Sequence, residues 1–94
     1  MFIKTFDDAT VEAVWRKGAI VFGQNSMKVR KDACGATIWR EKYGNRDSSF
    51  GWEIDHIKPI SADGTDNLFN LQPLHWKNNA AKGESYRLVC EVTS

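Results

Sequence analysis

Between Trp52 and Gly83 the chain changes its periodicity in a fixed order, and that order limits the fold more than any other feature. Trp52, Ile54 and His56 alternate with Glu53 and Asp55, which is the period of a strand, with Ile57 at its end. Pro59 cannot donate to a ladder and limits that strand. Ser61 to Asn67 is polar and reads as a loop. Leu68 to Leu74 reads as a second strand, stopped by Pro73. A short helix can start near His75 and finish at Lys82, with Gly83 as its C-terminal cap. Strand, loop, strand and helix make one ββα unit over about residues 51–83. Tyr86 to Val92 alternates as a final strand would.

Upstream, residues 8–17 have a helical pattern. Val11, Val14 and Trp15 form an apolar stripe at i, i+3, i+4, and Asp8 or Thr10 can cap the start. Gly18 can end this helix in the left-handed conformation. Gly23 to Ser26 is a turn, Met27 to Asp32 alternates like an exposed strand, and Cys34-Gly35 marks a bend. Ile38 to Tyr43 is short and ambiguous, and Gly44 to Ser49 is loop. At 94 residues the chain implies one α+β domain, 1–94, with an N-terminal helix and short strands ahead of the ββα unit.

No apolar run approaches the roughly 20 residues that span a membrane, and the first residues lack the pattern of a signal peptide. Cys34 and Cys90 form no CxxC pair. They can make a disulfide, but the reading favours two unpaired thiols in a reducing cytosol. The net charge is only +1, yet it is unevenly spread. Residues 28–46 carry Lys28, Arg30, Lys31, Arg40, Lys42 and Arg46 against Asp32 and Glu41. Residues 47–94 carry seven acids against four bases. A basic half beside an acidic half fits either a phosphate-tracking surface next to a metal site or an ordinary solvated face.

The adjacent acid and histidine, Asp55-His56, with asparagines downstream, can hold one divalent ion and place a base beside it. Histidine titrates near neutral pH and can take a proton from water. Oxygen donors such as Asp and Asn suit Mg²⁺ or Mn²⁺, and a nearby imidazole extends the range to Zn²⁺ or Ni²⁺. The pattern therefore suggests phosphodiester hydrolysis. Along an ideal strand, however, Asp55 and His56 face opposite sides. Sharing one site requires the strand to break there, which Pro59 and the loop permit.

The run Trp52-Glu53-Ile54-Asp55-His56-Ile57-Lys58-Pro59, then Asn70-Leu71-Gln72-Pro73-Leu74, then Asn78-Asn79-Ala80-Ala81-Lys82-Gly83 resembles the HNH endonucleases of the ββα-metal type. Arg30 to Gly35 and Tyr43 to Arg46 also resemble small bacterial and phage HNH proteins. The resemblance implies a metal-dependent endonuclease, cytoplasmic and encoded by a bacterium or phage, cleaving DNA to 5′-phosphate and 3′-hydroxyl ends. It implies that His56 is the general base and that Asn70 pins the loop that orients it. Asp55 and Asn79 would hold the metal, with Asn78 the competing assignment. His75 lies four residues before Asn79 and could join as a third ligand or serve in packing. In relatives stapled by two CxxC pairs around zinc, the second pair falls at His75 and Asn78. No structural zinc is therefore expected, and Cys34 is expected to be a small buried residue. Arg30, Lys31, Arg40, Lys58, Lys77 and Lys82 are candidate phosphate contacts. Trp39 and Tyr43 could stack on bases or pack in the core. The alternatives are a module of the same fold that binds DNA without turnover, or a nuclease subunit of a larger phage or restriction assembly.

Overall fold

The computed structural model describes residues 5–94 and follows the α+β order that the patterning implies. Helix α1 spans Asp8–Trp15. Its cap is Asp7, one residue before Asp8 and three before Thr10, the two expected candidates; the Asp7 carboxylate accepts the Thr10 amide at 2.8 Å. That bond satisfies one of the donors a helix start leaves open. Arg16 closes the helix in the right-handed conformation, two residues earlier than expected. Gly18 is therefore not a left-handed cap. It is buried, and a Cβ there would meet the Arg30 Cβ at 3.1 Å and the Lys31 carbonyl at 3.3 Å. Glycine is needed for the close approach of the chain to the first sheet.

That sheet has strands β1 (Ala19–Ile20), β2 (Val29–Lys31) and β3 (Thr37–Trp39), all antiparallel, with Val29 opposite Trp39 and Lys31 opposite Thr37. β2 is shorter than the alternation over 27–32 suggested. The Lys28 amide is drawn into a turn on the Asn25 carbonyl at 2.9 Å instead. The ambiguous stretch after Ile38 ends β3 and then forms a single 3-10 turn at Arg40–Lys42.

The second sheet is the pair β4 (Trp52–His56) and β5 (Leu71–His75), with Trp52 opposite His75, Asp55 opposite Gln72 and His56 opposite Leu71. Leu68–Asn70 is a 3-10 turn rather than the start of the strand. Pro73 does not stop β5 but lies inside it, opposite Ile54. β5 is paired on one side only, so the missing N–H removes no ladder bond. Helix α2 (Trp76–Lys82) follows directly, and Gly83 ends it at φ 56°. Val11, Val14 and Trp15 of α1 pack with Ile38, Trp52 and Leu71 to make the core, with the Trp15 and Trp52 rings 5.2 Å apart.

One buried carboxylate joins the two halves. Asp32 Oδ1 accepts the amides of Cys34 and Ala36, both at 2.9 Å. Its Oδ2 accepts the His75 amide at 2.9 Å and Asn78 Nδ2 at 3.0 Å. The turn after β2 is thus bound to the junction of β5 and α2. Asn78 also holds the C-terminal segment: its amide exchanges two hydrogen bonds with the Val92 backbone, at 2.8 and 2.9 Å.

Tyr86 to Val92 forms no strand. It pairs with neither sheet, and Tyr86 and Val89 stay exposed. The expectation of unpaired thiols is also corrected: Cys34 and Cys90 form a disulfide, with their Cα atoms 5.5 Å apart. The two residues are 56 positions apart in sequence, and the Asn78–Val92 clamp holds the segment that carries Cys90. Cys34 is half-buried. The expected reducing cytosol rested on free thiols and loses that support. Closing a loop of this length restricts the unfolded chain by about 4 kcal/mol on entropic grounds. Cys90→Ser should lower the free energy of unfolding by about 2–4 kcal/mol in urea titration. Dithiothreitol should produce a similar loss in the parent protein and none in the variant.

Candidate active site

β4 sorts its side chains by alternation. Trp52 faces the core, while Glu53 and Asp55 reach α2 on the other side. The Asp55 carboxylate is buried, with Oδ1 3.1 Å from Lys82 Nζ and Oδ2 accepting Gln72 Nε2 at 2.9 Å. The same ammonium donates to the His56 carbonyl at 2.9 Å, which ties the end of β4 to the end of α2.

β4 stays regular through His56 and does not break between the acid and the histidine. Asp55 and His56 nevertheless border one cavity of about 200 Å³, together with Asn79, Pro59 and Glu84. The cavity sits where the chain leaves the strand, so residues from both of its faces reach it. His56 Nε2 lies 2.7 Å from Asp66 Oδ1, and the Phe6 ring is 6.0 Å from the imidazole. With Nε2–H donating to that carboxylate, the imidazole lone pair is on Nδ1.

Asn70 fastens the loop beyond His56. It is buried, its Oδ1 accepts the Lys58 amide at 2.8 Å, and its Nδ2 donates to the carbonyls of Lys58 at 3.0 Å and Thr65 at 2.8 Å. The Ile57 amide donates to the Asn70 carbonyl at 2.8 Å. Gly64 completes the closure, since a Cβ there would overlap the Lys58 carbonyl oxygen.

The two neighbouring asparagines point to different duties. Asn78 is wholly buried and bound to Asp32 and Val92. Asn79 lines the cavity, and its Nδ2 donates to Glu53 Oε1 at 2.8 Å. Glu53 also receives the Arg46 guanidinium on both oxygens, at 2.7 and 2.8 Å. Burial pushes the Glu53 carboxyl up, but the bonds from Arg46 and then Asn79 bring it below the ordinary glutamate value.

His75 is not with the cavity residues. Its Nδ1 accepts the Lys77 amide at 3.1 Å and caps α2, and its Nε2 lies 2.7 Å from the Ser49 carbonyl. Both ring nitrogens are committed, which leaves no donor for a metal. Among the described residues no group of three His, Cys, Asp or Glu side chains could hold a metal ion. Asp55 and Asn79 therefore offer a sparse pair of hard oxygen donors. The Asp55 oxygens retain lone pairs beyond their present partners. Such a pair fits Mg²⁺, which keeps several of its waters.

The basic candidates divide. Lys58 and Lys77 are exposed, and Lys31 is half-buried. Arg30 donates to the carbonyls of Ser26, Arg16 and Gly18, and Arg40 pairs with Glu12 at 3.1 Å. Lys82 is a correction: it is 3% exposed and bound to Asp55, out of reach of a passing phosphate. Trp39 stacks on Phe50 at 4.1 Å and lines a larger cavity of about 420 Å³ beside Lys28 and Arg40, away from Asp55, His56 and Asn79. The sequence reading missed the roles of Glu53, Gln72 and Lys82. The first shares the Asp55 face by alternation and the last shares the Asn79 face three residues on, so both signals were present. Asp66 carried none, because a loop delivers it.

The family model for HNH endonuclease matches residues 39–85, half of the chain, and every residue that borders the cavity lies within that span. The chain belongs to the HNH endonuclease family. HNH proteins are usually nucleases that use a divalent metal and act on DNA. No curated protein and no solved structure matches this HNH chain. Among its described residues no helix is long and apolar enough to cross a membrane.

Losing one partner of a buried ion pair leaves an uncompensated charge. Lys82→Met should therefore cost about 3–5 kcal/mol of stability in chemical denaturation. A loss below about 1 kcal/mol would show that Asp55 is solvated without its lysine, as exposed pairs are.

Proposed function

We propose that this HNH protein is a metal-dependent endonuclease that hydrolyses DNA. The observation that carries the proposal is the shared cavity, which gathers an acid, an imidazole and a carboxamide from β4 and α2 in a chain of this family. Asp55 and Asn79 are assigned as the residues that hold a divalent ion, Mg²⁺ or Mn²⁺ by their donor chemistry. When bound, such an ion supplies charge stabilisation for the phosphoryl oxygens and the departing 3′-oxygen.

His56 is assigned as the general base. Donating Nε2–H to Asp66 orients the ring and leaves Nδ1 to take a proton from water. The water oxygen attacks phosphorus in line, the bond to the 3′-oxygen breaks, and the products carry 5′-phosphate and 3′-hydroxyl ends. Asn70 acts on this step through the loop, because it fixes both backbone groups of Lys58, two residues beyond His56. Lys58 and Lys77 are exposed on the loop after β4 and the first turn of α2, and are assigned as phosphate contacts.

Plasmid DNA incubated with Mg²⁺, Mn²⁺, Ni²⁺ or Zn²⁺ should be nicked or cut, and chelator should stop the reaction. His56→Ala should reduce the rate by a factor on the order of 10²–10⁴ while leaving DNA affinity intact. Cleavage by none of the four metals, with salt-dependent binding retained, would leave a DNA-binding module instead. Full activity in His56→Ala would remove the histidine from the mechanism. Lys58→Ala and Lys77→Ala should each lower the slope of log K against log salt by about one.

A further inference from the structure

A carboxamide has two unlike ends, and only its oxygen can ligate a cation. Asn79 Nδ2 meets Glu53 Oε1 at 2.8 Å. An ionised carboxylate only accepts hydrogen bonds, so the amide nitrogen must be the end that faces it. The Asn79 oxygen is then turned the other way, on a residue that borders the cavity. Glu53 is itself held in place. Arg46 grips both of its oxygens, through Nε at 2.7 Å and Nη2 at 2.8 Å, in the forked geometry that fixes a carboxylate plane.

We infer that Glu53 is a positioning residue, which aims the Asn79 oxygen into the cavity and is in turn aligned by Arg46. The inference rests on the assignment of Asn79 as a ligand in the proposed function. Glu53 Oε1 accepts from both Arg46 Nη2 and Asn79 Nδ2, so the two residues meet on one oxygen. In Glu53→Ala that acceptor is gone, and nothing then holds the Asn79 nitrogen away from the cavity.

The test uses the full chain of Glu53→Ala, Asn79→Ala, the double variant and Arg46→Ala, each checked for native dispersion by NMR. Mn²⁺ affinity is measured by calorimetry without DNA, and the Asn79 side-chain amide protons are followed by ¹⁵N NMR without metal. Glu53→Ala should weaken Mn²⁺ binding about 10–100-fold. It should add no further loss in the Asn79→Ala background, because its effect passes through Asn79. Arg46→Ala should cost less than Glu53→Ala. The Asn79 amide protons should exchange slowly in the parent and faster in Glu53→Ala. Additive losses in the double variant would make Glu53 a ligand or a general support of the fold, and would overturn the inference. So would Asn79 amide protons that Glu53→Ala leaves unchanged, or a loss in Arg46→Ala as large as that in Glu53→Ala. Mn²⁺ affinity untouched by Asn79→Ala would instead remove Asn79 from the metal site, a failure of the parent reading that the metal-free NMR result separates from a failure of the orientation.

Discussion

The Asp32 carboxylate is the point on which the two halves of this molecule depend. It lies inside the protein and meets four N–H donors, two from its own turn and two from the β5–α2 junction. A buried carboxylate is costly unless such donors surround it, and each donor would be costly if left without an acceptor. The arrangement therefore favours one docking of the three-stranded sheet against the ββα unit. It also fixes Asn78, and through Asn78 the C-terminal segment and the disulfide. The backbone bond at His75 sets the residue that caps α2. Helix position, tail position and turn geometry thus share one anion.

Local patterning reached the elements but not their bonds. The alternation from Trp52 to His56 and the stripe of Val11, Val14 and Trp15 were legible, because burial on one face imposes a period that single residues reveal. Pro73 misled, since its effect depends on whether the strand has a neighbour on its N–H side, which is a fact of topology. Gly18 misled for a similar reason: a glycine can serve conformation or closeness, and only the approach of Arg30 decides between them. The alternation from Tyr86 was real, but alternation makes a strand only where it pairs with an edge, and this segment pairs with neither sheet. The disulfide was the less favoured of two readings because sequence separation says nothing about the clamp at Val92.

The candidate site was legible in its residue types and partly in their grouping. Asp55, His56 and Asn79 do border one cavity, yet not by the bend in β4 that seemed necessary. A cavity at the end of a strand is open to both faces, which the ideal-strand argument left out. His75 and Asn78 were harder to place. Each is one helix turn or less from Asn79, and side chains that close in sequence differ in direction by amounts that only the docking of α2 converts into a role. Lys82 looked like a surface base by composition. Its ammonium is buried because Asp55 is buried beside it, and neither position makes sense alone.

The span matched by the family stops at residue 85 and begins at residue 39. Asp32, Cys34, Cys90 and Val92 all lie outside it. Helix α2 is seven residues long, far too short to persist unaided in water. The segment that holds the candidate site is accordingly a tenant of structure encoded elsewhere in the chain. Changes in the flanks, remote from any reacting atom in sequence, reach Asn79 through the neighbour next to it.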